Sequence, residues 1–271
     1  MYPEVLSSHR NPKIMDLKLL SEKSKYRRER GVFIAEGKKE VERAIKCGFK
    51  LLESYICPEI YKEEHSGSHG DICLNNHEAK QYIISKELYS KIAYREGTEG
   101  VIAIFKAREL KLDNINISQT PLIIILESVE KPGNLGAVIR TADAVKADAV
   151  IVCDPLTDLF NPNIIRSSIG GIFSVQVCAA SSEDTYKWLV DNNITILTAQ
   201  LQDSNWYHEQ DMRGGMAIVM GTESEGLSAF WRERAHKRIK IPMMGLLDSL
   251  NVSVSAAVIC YEALRQRNFK K

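Results

Sequence analysis

The chain has 271 residues, 44% of them hydrophobic and 26% charged, with a formal net charge of +1. This composition supports a folded core and excludes a disordered chain, and the length suits one large or two modest domains. No apolar run is long enough to span a bilayer, and the near-neutral total gives no chain-wide attraction to nucleic acid.

The first third reads as a small α/β unit. Ile14, Leu17 and Leu20 recur at helical spacing and predict a helix over Pro12 to Leu20. A short strand follows at 31–35, then a helix from Glu36-Gly37 to Lys46 closed by Gly48. Further strands are expected at Leu51–Cys57, Tyr82–Ser85 and Val101–Phe105, with a polar loop from Glu59 to Asn76. Charge is unevenly spread: residues 1–50 hold thirteen Lys or Arg against seven Asp or Glu, densest around Lys23, Lys25, Arg27, Arg28 and Arg30. Such a patch fits a phosphate-binding face or a solvated helix face about equally well.

Ala107 to Thr120 is polar and irregular and reads as a linker. Beyond it, continuous apolar strands are expected at Leu122–Leu126, Ala147–Cys153, Phe173–Cys178, Ile194–Ala199 and Met216–Met220. Strands this apolar are buried on both faces, as in a parallel sheet covered by helices. Ser253 to Arg267 predicts a long final helix with Ala257, Cys260, Tyr261 and Leu264 on one face. The expected domains are 1–106 and 121–271, joined by 107–120, and the second is a doubly wound α/β domain.

The six cysteines (Cys47, Cys57, Cys73, Cys153, Cys178 and Cys260) form no C-x-x-C pair and fit no zinc spacing. Reduced thiols in a cytoplasmic protein are expected, with no metal and no membrane partner. Glu4, His9 and Arg10 make a secretory signal at the start of the sequence unexpected.

Three segments of the second domain bear chemistry. Lys131-Pro-Gly-Asn134-Leu-Gly136-Ala-Val-Ile-Arg140 follows a buried strand and opens a helix, with Asn134 at a capping position. The pair Asn134 and Arg140 suits a cleft at the carboxyl end of a strand, where α/β folds hold ligands. An ordinary cap and a surface arginine is the plainer reading. Gly221-Thr-Glu223-Ser-Glu-Gly226 follows another buried strand and suggests a tight loop whose backbone touches a ligand. Ile241-Pro-Met243-Met-Gly245 and Ser249-Leu250-Asn251-Val-Ser253 lead into the last helix, which Ser249 or Asn251 could cap. A dinucleotide-binding glycine fingerprint is missing, which argues against an oxidoreductase.

Together the segments spell N-x-G-x-x-x-R, G-x-E-x-x-G-L and I-P-M-x-G…S-L-N-V-S, each at the end of a strand. In this the stretch from Leu122 to Arg267 resembles the SpoU (TrmH-like) class of the SPOUT methyltransferases, enzymes that methylate RNA ribose 2′-hydroxyls with S-adenosylmethionine. The segment from Lys25 to Gly37, K-Y-R-x-E-R-G-x-F-x-x-E-G, is similar to the ribosomal-protein-like substrate-binding domain often fused to that class. Lys131 stands where that class often has an acidic or polar residue, and Ser255 where Ala is common.

The resemblance implies a deep trefoil knot over roughly Ile194 to Cys260, a homodimer whose sites are completed near the interface, and a structured RNA substrate. Ribosomal RNA is preferred to transfer RNA. It implies catalytic roles for Arg140, Asn134, Glu223, Ser249 and Asn251. It assigns the cofactor to Thr198, Ala199, Gln200, Met220, Gly221, Ile241, Met243 and Leu250. Arg27, Arg28, Arg30 and Arg166 are candidate RNA contacts. A guanidinium holds its proton at physiological pH, so Arg140 is expected to anchor phosphate and stabilise a developing alkoxide and not to act as a base. A noncatalytic RNA-binding or ribosome-assembly protein on the same scaffold is the alternative.

Overall fold

The computed structural model describes residues 3–64, 79–93, 99–129, 131–155 and 158–269. They fall into two compact units, Met1–Arg108 with Phe160–Ser174 and Glu109–Leu159 with Val175–Lys271.

The first unit runs β1 (Glu4–Leu6), α1 (Pro12–Glu22), α2 (Ser24–Arg30), β2 (Val32–Glu36), α3 (Lys38–Lys46), β3 (Leu51–Ile56), α4 (Pro58–Glu64), β4 (Lys80–Ile84), α5 (Lys86–Ile92) and β5 (Val101–Lys106). The strands form one sheet in the order β1-β4-β3-β5-β2, with β4 parallel to its neighbours and β5 antiparallel to its own. The Asn11 side chain caps α1 by accepting from the Lys13 amide, and Pro12 opens the helix with its φ already set. Ile14, Leu17 and Leu20 are buried, as their spacing predicts.

Three elements carried no periodic signal: β1 has three residues, α2 is mostly charged, and α5 is short, with Ser85 accepting from the Leu88 amide. The loop expected from Glu59 begins instead as α4, because Pro58 suits the first turn of a helix. The remainder of that loop from 65, and Cys73 within it, lies outside the described residues.

The basic patch is corrected at one position. Arg27 is only 3% exposed, and its Nη1 donates to the Leu20 and Ser21 carbonyls at 2.6 and 3.2 Å. Those carbonyls end α1 and have no partner within it, so Arg27 satisfies the helix terminus and is not available to RNA. Arg30 is exposed, but its Nη1 donates to Asp16 at 2.6 Å and to the Tyr26 hydroxyl at 3.1 Å. Arg28 is exposed.

The second unit contains β6 (Leu122–Glu127), α6 (Pro132–Ala144) and β7 (Ala149–Cys153); α7 (Pro162–Ser167) follows in the chain but belongs to the first unit. The second unit continues with β8 (Val177–Ala180), α8 (Ser182–Asp191), β9 (Thr195–Ala199), β10 (Asn205–Trp206), β11 (Met216–Met220), α9 (Ala229–Arg234), β12 (Lys237–Lys240) and α10 (Val252–Gln266). Its sheet has the order β10-β12-β9-β11-β6-β7-β8, and every described pair is parallel. All residues of β6, β7 and β11 are buried, as a parallel sheet covered on both faces requires.

The strand expected at Phe173–Cys178 is shorter than its apolar run, because Gly171–Phe173 makes a 3-10 turn and pairing starts at Val177. β12 has no apolar run to mark it, since three of its four residues are cationic. The 107–120 segment is less linker-like than its composition suggests: Ile115 is buried, and Leu110, Leu112 and Ile117 pack on the core. In α10 the buried face is Ala256, Ile259, Cys260 and Ala263, whereas Tyr261 is 48% exposed, which corrects the expected face. Among the described residues no helix is long and apolar enough to cross a membrane.

The sequence places Phe160–Ser174 in the second domain, yet the segment packs within the first unit. Phe160 stacks on Phe33 at 4.6 Å and Phe173 on Phe33 at 5.3 Å, joined by Phe49 and Phe105. Burial of several aromatic rings outweighs chain continuity here, since each ring carries a large apolar area.

The position of Arg27 yields a stability contrast. Arg27→Ala should lower the unfolding free energy by about 2 kcal/mol, because two carbonyls lose a charged donor. Arg28→Ala, on an exposed site, should change it by less than about 0.5 kcal/mol. Chemical denaturation of the two variants checks the contrast, and equal effects would refute it.

Candidate active site

The second unit holds a cavity of about 660 Å³, lined by the ends of β9, β11 and β12, the loop after each, and the start of α10. This lies in the size range of small-molecule sites, and the carboxyl edge of a parallel sheet is where such sites form.

The loop after β11 is built by two glycines with different duties. A Cβ on Gly221 would lie 2.0 Å from the Gly226 carbonyl oxygen and 2.5 Å from the Leu227 nitrogen, so only glycine fits. Gly226 has φ +70 and open space around it, so its requirement is conformational. Thr222 and Gly226 exchange backbone hydrogen bonds at 3.1 Å, which closes the loop. Its exit is held by Glu127, a buried carboxylate at the end of β6 that accepts from the Ser228 amide and hydroxyl. Sequence reading missed Glu127; a carboxylate ending an otherwise apolar strand was the available signal.

From this loop Glu223 reaches two helices. Its Oε2 accepts from Lys131 Nζ at 2.6 Å, and its Oε1 accepts from Asn134 Nδ2 at 3.0 Å and from Asn251 Nδ2. Asn251 Nδ2 also donates to Asn134 Oδ1 at 3.1 Å. Asn251 Oδ1 meanwhile accepts from the Ser253 amide at 2.9 Å and hydroxyl at 2.6 Å, capping α10. One carboxylate therefore fastens the start of α6, the loop after β11 and the start of α10 at the edge of the cavity. Hydrogen bonds from Lys131 first, then Asn134, hold the Glu223 carboxyl below its usual value of 4.5.

Of the eight residues assigned to the cofactor, Ala199, Gln200, Met220, Gly221, Ile241, Met243 and Leu250 line the cavity. Thr198 does not: it is fully buried, and its hydroxyl donates to Gln200 Oε1 at 3.0 Å, so it supports a lining residue from behind. Glu223, Ser249 and Asn251 line the cavity; Ser249 donates to Asp248 Oδ1 at 3.2 Å and leaves the capping of α10 to Asn251. Apolar Met220, Leu227, Ile241, Leu250 and Ile259 face it alongside main chain and polar side chains. That mixture suits a nucleoside with a flat apolar base and polar edges.

Arg140 is not among the residues lining the cavity. Six residues at 100° each put it roughly 120° around α6 from Asn134. It is exposed, and its side chain has no hydrogen-bond or ion-pair partner among the described residues. Arg166 lies on α7 in the other unit, where its Nη2 donates to Asn163 Oδ1 at 3.0 Å.

A family model described as SpoU rRNA Methylase matches residues 121–261, and one described as MRM3-like substrate binding domain matches 11–103. A 23S rRNA (guanosine(2553)-2'-O)-methyltransferase of Bacillus subtilis is 28% identical, with 94% of this chain and 97% of that one covered. A 23S rRNA (guanosine-2'-O-)-methyltransferase of Bordetella pertussis is 34% identical, over 62% of this chain and 71% of the other. Among solved structures, an RNA 2'-O ribose methyltransferase superposes with a TM-score of 0.83 at 36% identity, covering 97% of this chain and 99% of that one. An AdoMet-bound rRNA methyltransferase from Sinorhizobium meliloti gives 0.85 at 28% identity, covering 97% of both chains.

The two glycines should respond differently to substitution. Gly221→Ala should destabilise the protein by about 2–3 kcal/mol through overpacking, and Gly226→Ala by about 1 kcal/mol through strain at positive φ. Thermal unfolding of both variants measures the difference, and a harmless Gly221→Ala would contradict the packing argument.

Glu223 sets a pH dependence. Its folded-state value is depressed, so its contribution is full above 4.5 and is lost as pH falls through the lowered value. Protection of the Thr222 and Gly226 amides from hydrogen exchange should hold at neutral pH and fall only in acid, after correction for intrinsic rates. Glu223→Gln should remove that acid-dependent step.

Proposed function

The chain belongs to the SpoU rRNA Methylase family, and on that footing we propose that it transfers a methyl group from S-adenosylmethionine to a ribose 2′-hydroxyl of ribosomal RNA. The observation that carries this reading is the convergence of Asn134, Glu223 and Asn251 beside a cavity of nucleoside size. A noncatalytic assembly protein has no need of that cavity. Relatives named as 23S rRNA 2'-O-methyltransferases support ribosomal RNA over transfer RNA.

S-adenosylmethionine, when bound, supplies an electrophilic methyl group. The cavity residues fit it: Ile241 and Leu250 offer apolar walls for the adenine, and Gly221, where the Gly226 carbonyl closes the loop, lines the same cavity. What remains for the protein is to align the ribose hydroxyl and ease the departure of its proton to solvent water. Arg140 anchors phosphate and stabilises the developing alkoxide. Asn134 positions the substrate, Glu223 and Asn251 hold loop geometry, and Ser249 orients substrate.

Two features of the second unit support a homodimer in which Arg140 serves the partner's cavity. Arg140 is exposed and lies outside the cavity lining of its own chain. Met244, Leu246 and Leu247 in the loop before α10, with Val254 and Tyr261 on it, are exposed apolar side chains of the kind a second copy covers.

The parallel neighbours β12, β9 and β11 lie out of chain order, which suits a trefoil knot over roughly 194–260. Residues 1–106 are the RNA-binding domain and 121–271 the methyltransferase domain, with 107–120 between them. The match to a substrate-binding family model at 11–103 supports this division. Arg28, Arg30 and Arg166 are the remaining candidate RNA contacts. The cytoplasm is the proposed location.

The reading is tested in two steps. Isothermal titration should show S-adenosylmethionine binding, and RNA from cells lacking the gene should gain a 2′-O-methyl when incubated with the purified protein and S-adenosylmethionine. Arg140→Ala should lower turnover by about 10²–10³-fold and leave cofactor affinity at the wild-type value. Parallel loss of both would exclude the role given to Arg140.

A further inference from the structure

We infer that Trp206 and Lys240 form a stacking platform for a nucleobase of the RNA that flanks the methylated nucleotide. This extends the methyltransferase reading and rests on it.

Of the three tryptophans, Trp188 and Trp231 are core residues at 9% and 0% exposure, whereas Trp206 is 40% exposed. Trp206 sits on β10, the two-residue edge strand of the second sheet, and pairs in register with Lys240 of β12. Register partners project from the same face, and the Lys240 ammonium lies 5.0 Å from the indole centroid.

Lys240 also lines the cavity, as does Arg232, so the platform adjoins the proposed site of reaction. Neither cation has an ion-pair partner among the described residues, although Glu225 and Asp248 line the same cavity. An unneutralised cation beside an exposed indole is the pairing that proteins use for single-stranded nucleic acid: the ring takes a base and the cation takes phosphate. A second copy of the chain is the less suitable occupant, because the exposed apolar side chains Leu246, Leu247 and Tyr261 offer it no charge to pair with the ammonium that stands beside the exposed Trp206 ring.

Trp206 is itself the reporter, being the only well-exposed tryptophan. Single-stranded oligoadenylate of roughly ten nucleotides should quench the intrinsic fluorescence of the full-length protein. Trp206→Phe should lose most of the quench yet retain most of the affinity, and Trp206→Ala should weaken binding about tenfold. Lys240→Gln should reduce the slope of log affinity against log salt by about 1. S-adenosylmethionine affinity should be unchanged in Trp206→Ala, because Trp206 does not line the cavity.

Quenching that survives in Trp206→Phe, or RNA affinity that survives in Trp206→Ala, would overturn the proposal. A change of sedimentation in Trp206→Ala would overturn it in favour of a self-association surface. If the wild-type protein fails to bind S-adenosylmethionine, the methyltransferase reading falls, while the oligoadenylate titration still decides the role of Trp206.

Discussion

A single carboxylate organises the catalytic half of the molecule. Glu223 accepts from Lys131 and Asn134, 92 and 89 residues before it in the chain, and from Asn251, 28 residues after it. Each contact alone is a modest surface interaction, screened by water and salt. Their value is geometric: a carboxylate has enough acceptor positions to bind three donors at once, so three chain segments share one origin. Lys131 contributes the charge that occupies the second oxygen.

The loop that carries the carboxylate is closed by contacts of its own. Gly221 permits the Gly226 carbonyl to close over it, the paired Thr222 and Gly226 backbones lock the turn, and Glu127 holds the exit at Ser228. These restraints sit at the carboxyl edge of a sheet whose central strands are wholly buried. Rigid strands beneath and a closed loop above hold open a cavity whose walls are partly main chain. Main chain is a suitable material for recognising a cofactor, because its donors and acceptors are fixed once the fold forms.

The first unit follows a different logic. Its sheet mixes parallel and antiparallel pairs, and its charged surface is partly spent on its own structure: Arg27 caps a helix and Arg30 pairs with Asp16. Its aromatic cluster draws in Phe160 and Phe173 from far along the chain. A domain boundary drawn on sequence order thus differs from one drawn on packing.

By itself the sequence determined the α/β class, the buried parallel strands, the helix that opens at Pro12 and the three motifs that follow strands, although Asn134, expected to cap α6, stands inside it with Lys131 at the cap. These are local properties: burial on both faces writes a continuous apolar run, and a turn or cap selects its residue within a few positions. Only the tertiary structure decided that Arg27 is internal, that Thr198 stands behind Gln200, that Asn251 and not Ser249 caps the last helix, and that Arg140 lies outside the cavity of its own chain. The reason is that a side chain's partners are chosen by distance in space. An arginine or threonine has the same local pattern whether it meets solvent, a helix end or a ligand, so its environment is settled only when remote segments pack around it.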